Sequence, residues 1–160
     1  MPSSGEEARA DWDARFDAHI EALRLRYLRP FQFLVKGSPH GDPDNPAFGL
    51  NTNPPEELWN NINETAHVLD RLAHQLALPI IMTTVYRSPK YNAAAGGTKN
   101  SAHMKFNAID FCIRGSPVGP AEWAAALHQM RSSGQFSGAI GIHLSFVHVD
   151  TRGTNLDWIG

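Results

Sequence analysis

The chain has 160 residues, 42% of them apolar and 19% charged, with a formal net charge of -2 and a single cysteine. That length and balance suit one globular domain with a hydrophobic core of its own, residues 1–160. The charge excludes a basic field for nucleic acid, Cys112 alone excludes an intrachain disulfide, and no apolar run is long enough to span a bilayer.

Residues 1–7 read as a flexible polar tail with no signal peptide, so the expected location is the cytoplasm until release or export by another route. Trp12, Phe16, Ile20, Leu23 and Tyr27 then recur at spacings of four and three, which predicts an amphipathic helix over 8–29, ended by Pro30. Phe31 to Val35 reads as a short edge strand. Residues 36–55 form a long loop punctuated by proline and glycine, and a loop of that length in a compact domain is often functional, for example as a wall of a cleft. Asn53-Pro-Pro-Glu56 has the residues of a helix start, and the apolar period from Leu58 carries that helix to Leu76.

Leu78 to Tyr86 is a β-rich run that predicts a buried strand, followed directly by Arg87-Ser-Pro. Tyr91 to Ala95 makes a short helix closed by Gly96-Gly97, and Thr98 to Lys105 is loop. Asn107 to Ile113 is a second strand, with Ala108, Asp110 and Cys112 on one face. Pro120 opens a helix running to about Arg131; Ala139 to Leu144 and Phe146 to Thr151 are two further strands, after which Trp158 packs back on the body. Helices early and strands late argue an α+β fold, a mostly antiparallel sheet with helices packed on one side.

Two short runs carry the chemistry, Ser101-Ala-His-Met-Lys-Phe-Asn-Ala-Ile-Asp110 and Phe146-Val-His-Val-Asp150. They offer two imidazoles and one carboxylate, His103, Asp110 and His148, the donor set of a zinc site that keeps its fourth position open. Asp110 within an apolar strand is costly unless it is paired or metallated. Arg87, rigid at a strand end, suits a carboxylate or carbonyl oxygen. Cys112 reads as a small core residue.

The string Thr84-Val-Tyr-Arg-Ser-Pro-Lys-Tyr-Asn, Gly96-Gly97, Ser101-x-His103, Ala108-x-Asp110 and Phe146-Val-His-Val-Asp-Thr-Arg-Gly153 resembles the zinc D-alanyl-D-alanine carboxypeptidases. These share a hedgehog-type fold with murein endopeptidases and phage endolysins. The resemblance runs over residues 53–158 and implies a zinc-dependent D,D-peptidase whose substrate is the stem peptide of peptidoglycan, released as a phage lysin is. It places Zn2+ on His103, Asp110 and His148, and substrate on Arg87, Ser101 and Tyr86.

Two positions depart from the pattern. Phe106 stands where the family usually has glycine, which would narrow the pocket or reshape the turn. Ser145 stands where many members carry the carboxylate that serves as general base. His143 is then the first candidate for base or oxyanion stabiliser, and Asp150 the second, unless Asp150 orients His148. The loss of that carboxylate also motivates an alternative: a zinc-containing module that binds wall peptides or a protein partner without cutting.

Overall fold

Local side-chain bonds set the N-terminal helix where the apolar stripe does not. The computed structural model describes residues 1–160. Helix α1 spans Ser4–Glu21. Ser3 Oγ accepts from the Glu6 amide at 3.3 Å while Glu6 Oε2 accepts from the Ser3 amide at 2.6 Å, a capping box that turns most of the expected tail into helix. The helix then stops well before Pro30. Arg24 adopts a left-handed conformation at φ 55, and Asp70 accepts the amides of Arg26 and Tyr27 at 3.0 and 2.8 Å. Tertiary bonds thus replace the helical ones expected up to residue 29.

The expected edge strand at Phe31–Val35 is instead a 3-10 helix, Pro30–Leu34. Gln32 explains it: its Oε1 accepts from the Arg29 amide at 2.7 Å, and its Nε2 donates to the Ile80 carbonyl at 3.1 Å. The long loop that follows contains one helical turn, α2 (Ser38–Gly41). Asn53 does not cap a helix, because its side chain accepts from Lys36 Nζ. A 3-10 helix over Glu56–Ile62 runs into α3 (Asn63–Leu76), whose Ala66, Leu69, Leu72 and Ala73 are buried.

The remaining elements are β1 (Ile81–Thr84), α4 (Pro89–Ala94), a 3-10 helix over Ala102–Lys105, β2 (Ala108–Cys112), α5 (Pro120–Ser132), β3 (Ala139–Ile142), β4 (Val147–Asp150) and β5 (Leu156–Ile159). The fold is α+β, with a five-stranded mixed sheet in the order β1-β2-β4-β3-β5. Every pairing is antiparallel except β3 with β5. Strand β5 lies where Trp158 was expected merely to pack. No helix is long and apolar enough to cross a membrane.

Alternation divides the sheet into two faces. Met82, Ile109, Phe111, Ile140, Val147 and Val149 join a core of 28 buried residues together with side chains of α1, α3 and α5. On the opposite face the register aligns one transverse row across all five strands: Thr84, Asp110, His148, Gly141 and Trp158. That row is the floor of the functional cleft.

Candidate active site

Strand pairing alone fixes two of the three expected ligands. Asp110 on β2 sits opposite His148 on β4, and alternation turns both away from the core. His103 arrives from the 3-10 helix Ala102–Lys105, whose first turn Ser101 caps by accepting the His103 amide at 3.3 Å. The Arg87 amide donates to the His103 carbonyl at 3.2 Å, which ties this turn to the exit of β1. One nitrogen of each imidazole and one oxygen of Asp110 lie within 4.8 Å of one another. All three residues are buried, between 4% and 6% exposed.

The outer nitrogen of each ring is already committed. His103 Nδ1 lies 2.7 Å from the Val85 carbonyl, and His148 Nε2 lies 2.7 Å from Asp150 Oδ2. Those oxygens can only accept, so each ring carries its proton there. In a neutral ring the inner nitrogen is then a lone pair. His103 Nε2 and His148 Nδ1 point such pairs at the same oxygen, Asp110 Oδ1, from 3.1 and 2.9 Å. Three acceptors facing one another in a buried place repel unless a cation or extra protons stand between them. Two imidazoles and a carboxylate, each ring oriented by a partner behind it, fit a catalytic zinc ion.

The electrostatics agree. Burial alone would push the Asp110 carboxyl up, but the positive charge and hydrogen bonds of His103 and His148 outweigh it and hold the group below the usual carboxylate range. Burial opposes charge on His148 as well, yet its bonds to Asp110 and Asp150 raise its pKa above the ordinary imidazole value. Burial of Asp150 is likewise outweighed, by His148 and Arg152, so its carboxyl is held low.

Above the row opens a cleft of about 610 Å³. One wall is the segment Gly96–Ser101; the other includes His143, Phe146, Leu156 and Trp158. Residues 45–150, which carry all three of these ligands, match a known family, the one described as Peptidase M15. The chain belongs to the peptidase M15 family. The family is zinc-dependent, so zinc is the cofactor and the chain is a zinc peptidase by descent, with His103, Asp110 and His148 grouped to hold the ion. No curated protein and no solved structure matches the chain.

Within this M15 cleft the expected residues sort themselves. Arg87, Ser101 and His143 line it beside the three ligands. Arg87 lines the cleft, and its buried Nε has no hydrogen-bond partner within the chain. Tyr86 is not among the lining side chains; it is 5% exposed in the core, edge-on to Phe106 at 6.3 Å. Asp150 is corrected as a base: it is 0% exposed and both its oxygens are engaged, by His148, Arg152 and the Ala139 amide. Its Oδ2 accepts from His148 Nε2 at 2.7 Å.

Two further expectations change. Phe106 does not narrow the pocket, for it is fully buried and absent from the lining. It caps the 3-10 helix of His103 in the left-handed region, φ 54, the conformation a glycine adopts without strain. Residues 36–55 supply no wall of the cleft. They brace it from behind, because Asn51 Nδ2 donates to the Tyr86 carbonyl at 2.9 Å and Asn51 Oδ1 accepts the Ser88 amide at 2.9 Å, either side of Arg87.

Trp158 was missed as a site residue. Its ring lies 4.8 Å from that of His148, and its Nε1–H donates to His143 Nε2 at 3.2 Å. A Cβ on Gly141 would overlap the indole, so the glycine makes room for it. The signal was present in part: Gly141 in an otherwise apolar strand marks a close approach.

Proposed function

We propose that the chain is a zinc D,D-peptidase acting on the D-amino-acid stem peptides of peptidoglycan. One observation carries the reading. Two imidazoles aim their free nitrogens at one carboxylate oxygen while their far nitrogens are locked, which is the arrangement of an ion site. Bound there, zinc supplies Lewis-acid polarisation of a peptide carbonyl and activation of a water.

The chain's own groups do the rest. Arg87, which lines the cleft, takes a carboxylate or carbonyl oxygen of the substrate on its guanidinium. Val85 and Asp150 hold the ligand rings in register. His143 is held on one side by its stack on Phe146, 4.2 Å and 7° from parallel. Because its Nε2 accepts from Trp158, the neutral ring carries its proton on Nδ1, beside Gly160, so Nε2 serves as a base only after Trp158 releases it.

A second reading, a zinc-holding module that binds wall peptides without cutting, has a specific observation in its favour. Asp110 is the only carboxylate lining the cleft, and Ser145 in the hairpin turn offers none. Metal analysis of the purified chain with a digest of peptidoglycan decides between them. Stoichiometric zinc, cleavage of stem peptides, and loss of both in His148→Ala are expected. Zinc without cleavage at any pH selects the binding module; no zinc at stoichiometric supply ends both readings.

A further inference from the structure

Three cations line the M15 cleft, Arg87, Lys99 and Arg152, against the single carboxylate of Asp110. The chain as a whole is slightly acidic, at -2, so this charge is local. Arg152 is the most constrained of them. Its Nε and Nη2 grip the fully buried Asp150, with Nε 2.9 Å from Oδ1 and Nη2 2.6 Å from Oδ2. Nη1 makes no bond within the chain, and the side chain is 33% exposed. A guanidinium pinned on one edge and free on the other is a pre-ordered anion anchor. Lys99, exposed and without a hydrogen-bond partner, stands in the opposite wall segment.

Arg87 and Arg152 follow the two strands that flank β2. The register brings the C-terminal ends of β1 and β4 to the same end of the sheet, one on each side of β2. The two strands are therefore two inter-strand spacings apart, about 10 Å. Asp110 lies on the strand between them. An extended peptide covers that distance in about three residues.

We infer that Arg152 and Lys99 form a second carboxylate subsite, separate from Arg87, and that the preferred substrate is an acidic peptide with one free carboxylate at its C-terminus and a second on a side chain upstream. This rests on the peptidase reading for where the scissile bond lies. Arg87 takes the terminal carboxylate, and the second subsite takes a side-chain carboxylate upstream. An amide of the same shape there loses a charge-assisted bond to each cation.

The test uses the full zinc-loaded chain and three N-acetylated peptides: Glu-D-Ala-D-Ala, Gln-D-Ala-D-Ala, and the first with its C-terminus amidated. The glutamate peptide is expected to exceed the glutamine peptide in kcat/KM by about tenfold. Lys99→Gln and Arg152→Gln each bring that ratio toward one, while the loss on amidating the C-terminus persists in both and vanishes in Arg87→Gln. The ratio is insensitive to any general loss of activity, which matters for Arg152 because it also holds Asp150. Lys99, with no internal partner, gives a variant that folds as the parent does. A ratio near one in the unsubstituted protein overturns the subsite. If nothing is cleaved, dissociation constants read from tryptophan fluorescence take the place of rates. A preference for glutamate there keeps the subsite and rejects the peptidase reading, and equal constants reject the subsite.

Discussion

Asp150→Asn removes one charge without changing shape, and the structure fixes what that costs. Every partner of the Asp150 carboxylate is a donor: His148 Nε2, the Arg152 guanidinium, and the amides of Ala139 and Arg152. An asparagine must turn its own NH2 toward one set of them, whichever way it flips. If it keeps the His148 bond, the amide hydrogens face the Ala139 and Arg152 N–H groups; if it keeps those, His148 loses its support. A hydrogen bond to a charged group contributes about 1.5–3 kcal/mol, which corresponds to about 10- to 100-fold. Loss of a group that orients a metal ligand costs about the same factor in metal affinity. Zinc affinity is therefore expected to fall about 10- to 100-fold, read by competition with a chromophoric chelator. Urea melts of the metal-free protein should show a parallel loss of about 1–3 kcal/mol from the buried donors. A folded variant whose zinc affinity stays within about twofold of the parent would refute the claim that Asp150 holds His148 for the ion.

The raised pKa of His148 sets a pH dependence. In the metal-free protein its protonated form stabilises the fold below the ordinary imidazole range, and that contribution is lost as pH rises through the raised value. Zinc must displace this proton, so log affinity should climb by about one per pH unit until His148 is neutral; a flat profile in competition titrations contradicts it. Gly141→Ala places a methyl group in the indole of Trp158. It should displace that ring, shift its fluorescence, and cost about 1–3 kcal/mol in urea melts, and an unchanged emission spectrum would count against the packing described. Phe106→Gly relieves a left-handed residue but empties a fully buried site beside Phe16 and Tyr86. A net loss of about 2–4 kcal/mol in urea melts, with zinc affinity lowered as the His103 turn loses its anchor, is expected, and a stabilised variant would show that backbone strain outweighs the packing.

How much could be read from the residues follows from where the determining forces lie. The ligands were legible because a buried carboxylate and imidazoles in apolar strands contradict their own solvation, and β2 and β4 alternate cleanly around them. The α+β sheet was legible for the same periodic reason. The elements that differed depend on tertiary partners or on single side chains. Asp70 ends α1, Gln32 builds a 3-10 helix where an apolar run suggests a strand, and the expected loop at 102–105 winds into a 3-10 helix around His103. Strand β5 reads as exposed, because three of its four residues are, and only its pairing with β3 orders it. The Ser3–Glu6 capping box, by contrast, is local and is written in the spacing of those two residues.

The cleft is also held from a direction the motifs do not reveal. His103 depends on a turn that closes through Phe106, a residue in a conformation unfavourable for any side chain. That cost, about 1–2 kcal/mol, is offset by what Phe106 touches. Its ring meets Phe16 of α1 at 6.3 Å, and Phe16 stacks with Trp12 and lies edge-on to Trp59, both near 5.2 Å. A buried aromatic contributes more than the backbone term costs. The N-terminal helix, which carries none of the ligands, thus bears on the metal site through one ring. Opposite it, β1 reaches the same turn through the Val85 carbonyl and the Arg87 amide, and β2 and β4 reach it through Asp110. Four segments distant in sequence meet within one turn, so the ligand geometry is stable only when all of them are in place. A chain in which α1 is undocked should keep its sheet and lose the alignment of His103 first.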